Sequence, residues 1–148
     1  MTSPDGFPSN TAQGNSAVRI LVIDDERELL TALSGTLRQA GFSVRTATSA
    51  QSGLDALEQE AVEVVITDII MPRKSGIEVI DKVRTLYPST RVIAISGGGN
   101  FGPFDYQTDS ITTSAYLAAS EKHGAHAVLA KPFEAWEIIA VIHQVRGH

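Results

Sequence analysis

The stretch Val18-Arg19-Ile20-Leu21-Val22-Ile23, followed at once by Asp24-Asp25-Glu26, decides the fold. From Ile20 to Ile23 no polar residue alternates with the apolar ones, so the run predicts a strand buried on both faces, as in a parallel sheet covered by helices. From Glu26 to Ala40 the period changes. Leu29, Leu30, Leu33 and Leu37 recur at helical spacing, and Gly41 stands where a helix would stop. One strand and one helix are thus legible before residue 42.

The same unit recurs down the chain. Phe42 to Ala47 predicts a second strand, and Ser49 is placed to cap a helix carrying Ala50, Leu54 and Leu57 on one side. Val62 to Thr67 predicts a third strand, followed by a helix marked by Ile77, Val79, Ile80, Val83 and Leu86 that ends before Pro88. Arg91 to Ile95 is the fourth strand, Thr113 to His123 a helix ended by Gly124, Ala127 to Ala130 the fifth strand, and Glu134 to Arg146 a closing amphipathic helix. Five strand–helix units in succession predict an α/β, doubly wound, five-stranded parallel sheet with helices on both faces, because such crossovers are right-handed. Two segments stand outside this pattern. Residues 1–17 hold Pro4, Gly6, Pro8 and Gly14 among polar residues and predict a disordered tail, leaving 18–148 as the domain. Residues 96–112 form an expanded loop rich in Gly and bearing Phe101, Phe104 and Tyr106.

Composition agrees with one globular domain. The 148 residues carry 12 Lys and Arg against 17 Asp and Glu, a net charge of −5, with 43% hydrophobic and 20% charged residues. A mean hydropathy of +0.01 excludes collagen-like, coiled-coil and wholly disordered chains. The pI near 5.3 argues against a nucleic-acid surface, which needs clustered Lys and Arg. Cysteine is absent, so no disulfide, thiolate metal site or cysteine nucleophile exists. No apolar run approaches the roughly 18 residues of a spanning helix and no signal peptide opens the chain, so a cytoplasmic protein without membrane insertion is expected.

Ligands of an open parallel sheet bind outside the carboxyl ends of its strands. There this sequence places Asp24 and Asp25 after the first strand, Asp68 after the third, Ser96 after the fourth and Lys131 after the fifth. Three carboxylates drawn together repel one another unless a cation joins them, and such an oxygen-rich set suits Mg²⁺. Lys131 supplies a compact positive charge for a phosphoryl oxygen, and Ser96 a hydroxyl. A carboxylate can itself attack phosphorus to give an aspartyl phosphate. Other features carry less. Gly97, Gly99 and Gly102 spell a dinucleotide-binding fingerprint, but it follows the fourth strand and runs into Pro103 instead of opening a helix. His123 and His126 are separated by Gly124 and read as a helix C-terminal cation and a strand-edge residue. Tyr116 and Trp136 read as packing residues.

The segments Ile20 to Glu26, Thr67-Asp68-Ile69-Ile70-Met71-Pro72-Arg73-Lys74-Ser75-Gly76-Ile77-Glu78, Ile93-Ala94-Ile95-Ser96 and Ala130-Lys131-Pro132-Phe133 together resemble the receiver domain of bacterial response regulators. The interval from Asp25 to Asp68 is that of the family. The resemblance, which runs from about Val18 to Gly147, implies a flavodoxin-like strand order of 2-1-3-4-5. It implies that Asp68 is the phospho-acceptor, that Asp25 binds Mg²⁺ directly and Asp24 through water, and that the backbone carbonyl of Ile70 is a further ligand. Ser96 and Lys131 would then hold phosphoryl oxygens, and the Lys131–Pro132 bond would be cis. The implied partners are a sensor histidine kinase or histidine phosphotransfer protein and a downstream protein. The chain would catalyse only its own phosphorylation and dephosphorylation.

Two departures from the family bear on mechanism. Val128 stands where members usually carry Tyr or Phe, so the usual inward swing of a ring is lost. The interval from Ser96 to Lys131 exceeds the family norm, so loop 96–112 with the fourth helix is expected to replace that ring as the switching element, the alternative being a passive surface insertion. Ile70 and Gly98 occupy positions where polar side chains often influence hydrolysis, and neither can orient a water, which implies a long-lived phosphoryl group. Since only one helix follows Lys131, a single-domain response regulator acting by protein contact or phosphorelay is expected. A Mg²⁺-dependent phosphohydrolase on a similar sheet is the alternative, and it lacks a clear general acid.

Overall fold

The computed structural model describes residues 17–71, 75–97, 115 and 118–147. The expected tail, Pro72 to Lys74, and nearly all of loop 96–112 with Gly98, Phe101, Phe104 and Tyr106, as well as Tyr116, lie outside the described residues. The elements are β1 (Arg19–Ile23), α1 (Arg27–Gln39), β2 (Ser43–Ala47), α2 (Ala50–Gln59), β3 (Val64–Asp68), α3 (Gly76–Leu86) and β4 (Arg91–Ser96). They are followed by a helix, α4, whose described residues are 115 and 118–123, then β5 (Ala127–Ala130) and α5 (Ala135–Arg146).

Among the described residues the five strands form one parallel sheet in the order β2-β1-β3-β4-β5. The alternation of side chains along each strand splits the apolar residues between two layers. Ile20, Val22, Val64, Ile66, Ile93 and Ile95 face one way and pack with Leu30, Leu33 and Leu37 of α1 and Ile138, Ile142 and Val145 of α5. Leu21, Ile23, Val65, Val92 and Ala94 face the other way and pack with Leu54 and Leu57 of α2 and Val79, Ile80 and Val83 of α3. This two-sided burial is why the strands read as unbroken apolar runs. Each large side chain so buried contributes about 1.5–3 kcal/mol, against ~0–1 kcal/mol for a surface pair such as Arg19–Glu60 at 3.5 Å. The sheet interior therefore dominates stability.

Local signals explain the ends of the elements. Ser49 caps α2 by accepting the Ser52 N–H at 3.1 Å, and the Ser52 hydroxyl accepts the Ser49 N–H in return. Ser75 caps α3 through the Ile77 N–H. Trp136, expected to pack, is 69% exposed, and Leu86 at the end of its helical stripe is 60% exposed. Ile138, Ile142 and Val145 occupy the inward face of α5, which turns position 136 outward, and Leu86 lies in the last turn of α3 beyond its final buried residue, Val83.

Candidate functional site

The chain leaves β1 for β2 on one side and returns to place β3 on the other, so strand order reverses between β1 and β3. The carboxyl ends there are level. Ile23, Thr67, Ala94 and Val128 are register partners across four strands. Immediately beyond that row stand Asp24 and Asp68.

Asp24 is wholly buried. Its backbone N–H continues toward β2 by donating to the Ala47 carbonyl at 3.0 Å, while its Oδ1 accepts the Glu26 N–H at 2.9 Å. Asp25, next along the chain, is exposed. Asp68 and Ser96 do not follow their strands but are the last residues within them, with Asp68 opposite Ile95 and Ser96 opposite Ala130. Both are buried. Oδ1 of Asp68 accepts the N–H of Ile70 at 3.2 Å, which holds Ile70 beside it. Carboxylate oxygens of Asp24, Asp25 and Asp68 all lie within 4.8 Å of one another.

Lys131 reaches this cluster from the end of β5, where its N–H donates to the Ser96 carbonyl at 2.8 Å and its bond to Pro132 is cis. Its Nζ lies 2.9 Å from Asp24 Oδ2, 3.2 Å from Asp68 Oδ2 and 2.6 Å from Glu26 Oε1. Sequence reasoning assigned no role to Glu26. Its position at the amino end of α1, directly after the Asp pair, was the available signal. A cavity of about 350 Å³ lined by Glu26, Leu29, Lys131, Pro132 and Phe133 opens beside the ammonium. Among the described residues the Ser96 hydroxyl has no hydrogen-bond partner although it is wholly buried.

The electrostatics follow from burial. Desolvation pushes the Asp68 carboxyl up to about 6, only partly offset by the Lys131 ammonium, and the Asp24 charge adds to the rise. Asp24 is also raised by burial, against the opposing pull of the Glu26 N–H and Lys131. Burial disfavours the Lys131 charge, but Asp68, Glu26 and Asp24 outweigh it and hold this lysine above its usual range. One cation thus answers three carboxylates. An all-oxygen set with surplus negative charge fits a hard divalent cation such as Mg²⁺.

Gly76 fixes how close the next element comes. Its N–H donates to the Ile69 carbonyl at 2.9 Å, and a Cβ at this position would overlap the Asp68 carbonyl oxygen and come within 2.7 Å of Ile69 Cα. These are backbone atoms and cannot turn aside. Gly76→Ala is expected to cost about 1–3 kcal/mol, read in urea unfolding, and to shift the Asp68 backbone. An unchanged midpoint would contradict this contact.

The remaining expectations resolve as follows. Val128 is half-buried against the layer that holds Val92 and Ala94, with no ring in that position. His123 and His126 do not form a metal pair: His123 Nδ1 bonds Asp81 at 2.7 Å, whereas His126 Nδ1 accepts the Val92 N–H at 3.0 Å. Among the described residues no helix is long and apolar enough to cross a membrane.

Comparison with known proteins places these features in a family. A family model described as the response regulator receiver domain matches residues 20–105. The chain is 32% identical over 127 residues to the DNA-binding transcriptional regulator NtrC of Azospirillum brasilense, covering 86% of this chain and 24% of that one. Among solved structures it is similar to the receiver domain of NtrX from Brucella abortus, at 30% identity and a TM-score of 0.72 over 85% of this chain and 96% of that one. It is also similar to a response regulator from Burkholderia pseudomallei with a phosphorylated aspartic acid, calcium ion and citrate, at 25% identity and a TM-score of 0.68 over 83% and 65% of the two chains. The chain spans about a quarter to a half of the curated relatives it matches.

Proposed function

The chain belongs to the response regulator receiver domain family, and from that membership we propose that Asp68 accepts a phosphoryl group from a sensor histidine kinase or a histidine phosphotransfer protein. The observation that carries this reading is the meeting of three carboxylates within 4.8 Å with one ammonium and a buried, unpartnered hydroxyl. An Asp68 oxygen attacks phosphorus, the P–N bond to the donor histidine breaks, and the imidazole keeps the electron pair and takes a proton from solvent. Asp24, Asp25, Asp68 and the Ile70 carbonyl would hold Mg²⁺, which supplies charge neutralisation at the transferring group when bound. Lys131 and Ser96 would donate to phosphoryl oxygens. Lys131 is already aimed at Asp68, and Ser96 has a donor to give. That the similar response regulator from Burkholderia pseudomallei was solved with a phosphorylated aspartic acid and a calcium ion supports the reading of Asp68 as acceptor.

The modified domain would signal by contact with a downstream protein. Ile70 offers no polar side chain to orient a hydrolytic water, which supports a long-lived phosphoryl group. Incubation with acetyl phosphate and Mg²⁺, followed by intact mass, is expected to show one added phosphoryl group per chain and no sustained release of phosphate. Sustained turnover of a phosphate monoester such as phenyl phosphate, with no label on Asp68 from acetyl phosphate, would instead establish a phosphohydrolase and overturn the reading.

A further inference from the structure

A cavity of about 490 Å³ lies between α1 and β2, the outermost strand of the sheet. Glu26 and Leu29 face the cavity beside Lys131, whereas Arg27, Thr31, Gly35 and Arg38 line this one from the other flank of α1. Steps of four, four and three residues put those four positions on one stripe of the helix. Across from them stand Thr46 and Thr48. Thr46 shares the side of β2 on which Val44 packs against α1.

The charge of the cavity is one-sided. Both of its charged lining residues are arginines, and among the described residues no carboxylate lines it, in a chain whose net charge is −5. The two cations stand at opposite ends. The helix carries Arg27 and Arg38 about 16 Å apart at their Cα atoms, at 1.5 Å per residue, and the threonines fall between them. Arg38 is oriented by its Nη2, which donates to the Val44 carbonyl at 2.9 Å, a bond that uses one of the five donors of a guanidinium. Gly35 keeps the wall open. A glycine inside a helix is less favourable than alanine, and packing does not call for one here, since a Cβ at this position would meet no atom within 4 Å apart from the backbone of its own helix.

We propose that this cavity binds an elongated organic phosphate of the sugar bisphosphate class, with Arg27 and Arg38 taking the phosphate at either end and Thr31, Thr46 and Thr48 hydrogen-bonding the hydroxylated body. Guanidinium and phosphate pair through charge-assisted, bidentate hydrogen bonds. A threonine hydroxyl both donates and accepts, as the hydroxyls of a sugar do. The volume falls in the range of small-molecule sites. A lone phosphate engages one end only, and an apolar ligand would strip water from two cations without replacing its hydrogen bonds. No residue of the acidic cluster lines the cavity, so the inference does not rest on the proposed phosphorylation of Asp68.

The test titrates fructose 1,6-bisphosphate into the full chain, free of metal and at constant ionic strength, while amide NMR follows each residue. Saturable shifts are expected at Thr31, Gly35, Thr46 and Thr48. Inorganic phosphate is expected to bind at least about tenfold more weakly, since it forfeits the charged hydrogen bonds of one end, and glucose to give no saturable shift. Gly35→Leu fills the cavity and Arg27→Gln removes one cation, and each is expected to weaken binding by at least about tenfold while the amides of the sheet stay in place. Arg27→Gln, in the exposed first turn of α1, decides the matter by itself if the larger side chain at position 35 disturbs the helix. No saturable shift at tens of millimolar bisphosphate, inorganic phosphate binding as tightly as the bisphosphate, shifts confined to the surroundings of Lys131, or Arg27→Gln binding as the parent does overturns the proposal.

Discussion

Asp68→Asn is expected to take up no phosphoryl group under conditions that fully label the parent, and at the same time to be the more stable protein at pH 8 without metal. The first effect follows from chemistry, since an amide offers no anionic oxygen to attack phosphorus. The second follows from burial. In the folded chain the Asp68 carboxyl titrates near 6, above its ordinary 3.8, so the stability it lends is fully present below pH 3.8 and is lost as pH rises through 6. Asparagine carries no such loss. The stability difference between the two proteins is therefore expected to open between about pH 4 and pH 7 and to level off above, reaching on the order of 2 kcal/mol. Mg²⁺ narrows it by returning positive charge to the parent. Thermal unfolding at several pH values checks the second effect and intact mass the first. A labelled Asp68→Asn would remove Asp68 as the acceptor, and a stability gap independent of pH would remove the burial argument.

Lys131→Ala is expected to be the most damaging single change at neutral pH. Its Nζ is the shared partner of Asp24, Asp68 and Glu26, and truncating it leaves two buried carboxylates without their cation. Breaking a buried pair in this way costs about 3–5 kcal/mol. Because the orphaned groups are acids, the deficit is expected to shrink as pH falls toward 5 and they take up protons. It is expected to shrink likewise when Mg²⁺ is added at pH 7. Labelling by acetyl phosphate is expected to slow by about 10²–10³, the cost of removing one preorganised charge from a transferring group. Urea unfolding with and without Mg²⁺ measures the first effect. A deficit under 1 kcal/mol, unmoved by pH or metal, would show that Lys131 does not neutralise the cluster.

Much of this site can be read from the chain because a parallel sheet gathers its strand ends at one edge. Asp24, Asp25, Asp68, Ser96 and Lys131 come from four strands, and each was recognisable as the polar residue that stops an apolar run. The same logic misplaced the boundaries. Asp68 and Ser96 look like residues beyond their strands, yet both pair within the ladder, since hydropathy does not anticipate a polar side chain buried beneath a site. Glu26 escaped notice because its bond to Lys131 joins residues 105 apart, and its place after the Asp pair is the one local mark it carries. His126 reads from the sequence as a strand-edge residue, and only the folded register of β4 with the turn before β5 brings its ring to Arg84 and Arg91. Trp136 illustrates the opposite error: a large ring suggests burial, but its angular position on α5 decides otherwise.

The Ser96 hydroxyl, wholly buried and without a partner, sets an affinity difference between two states of the same protein. A desolvated donor left unpaired raises the free energy of the state that contains it by about 1–3 kcal/mol. Any group that offers Ser96 an acceptor recovers that amount in addition to its own contacts, equivalent to roughly 5–150-fold in the equilibrium between unmodified and modified forms. Ser96→Ala should then leave the unmodified protein as stable as before or more so, while the modified form loses its advantage. Under the proposed phosphorylation of Asp68, part of the preference for the modified form would therefore be set at Ser96 before any phosphoryl group arrives.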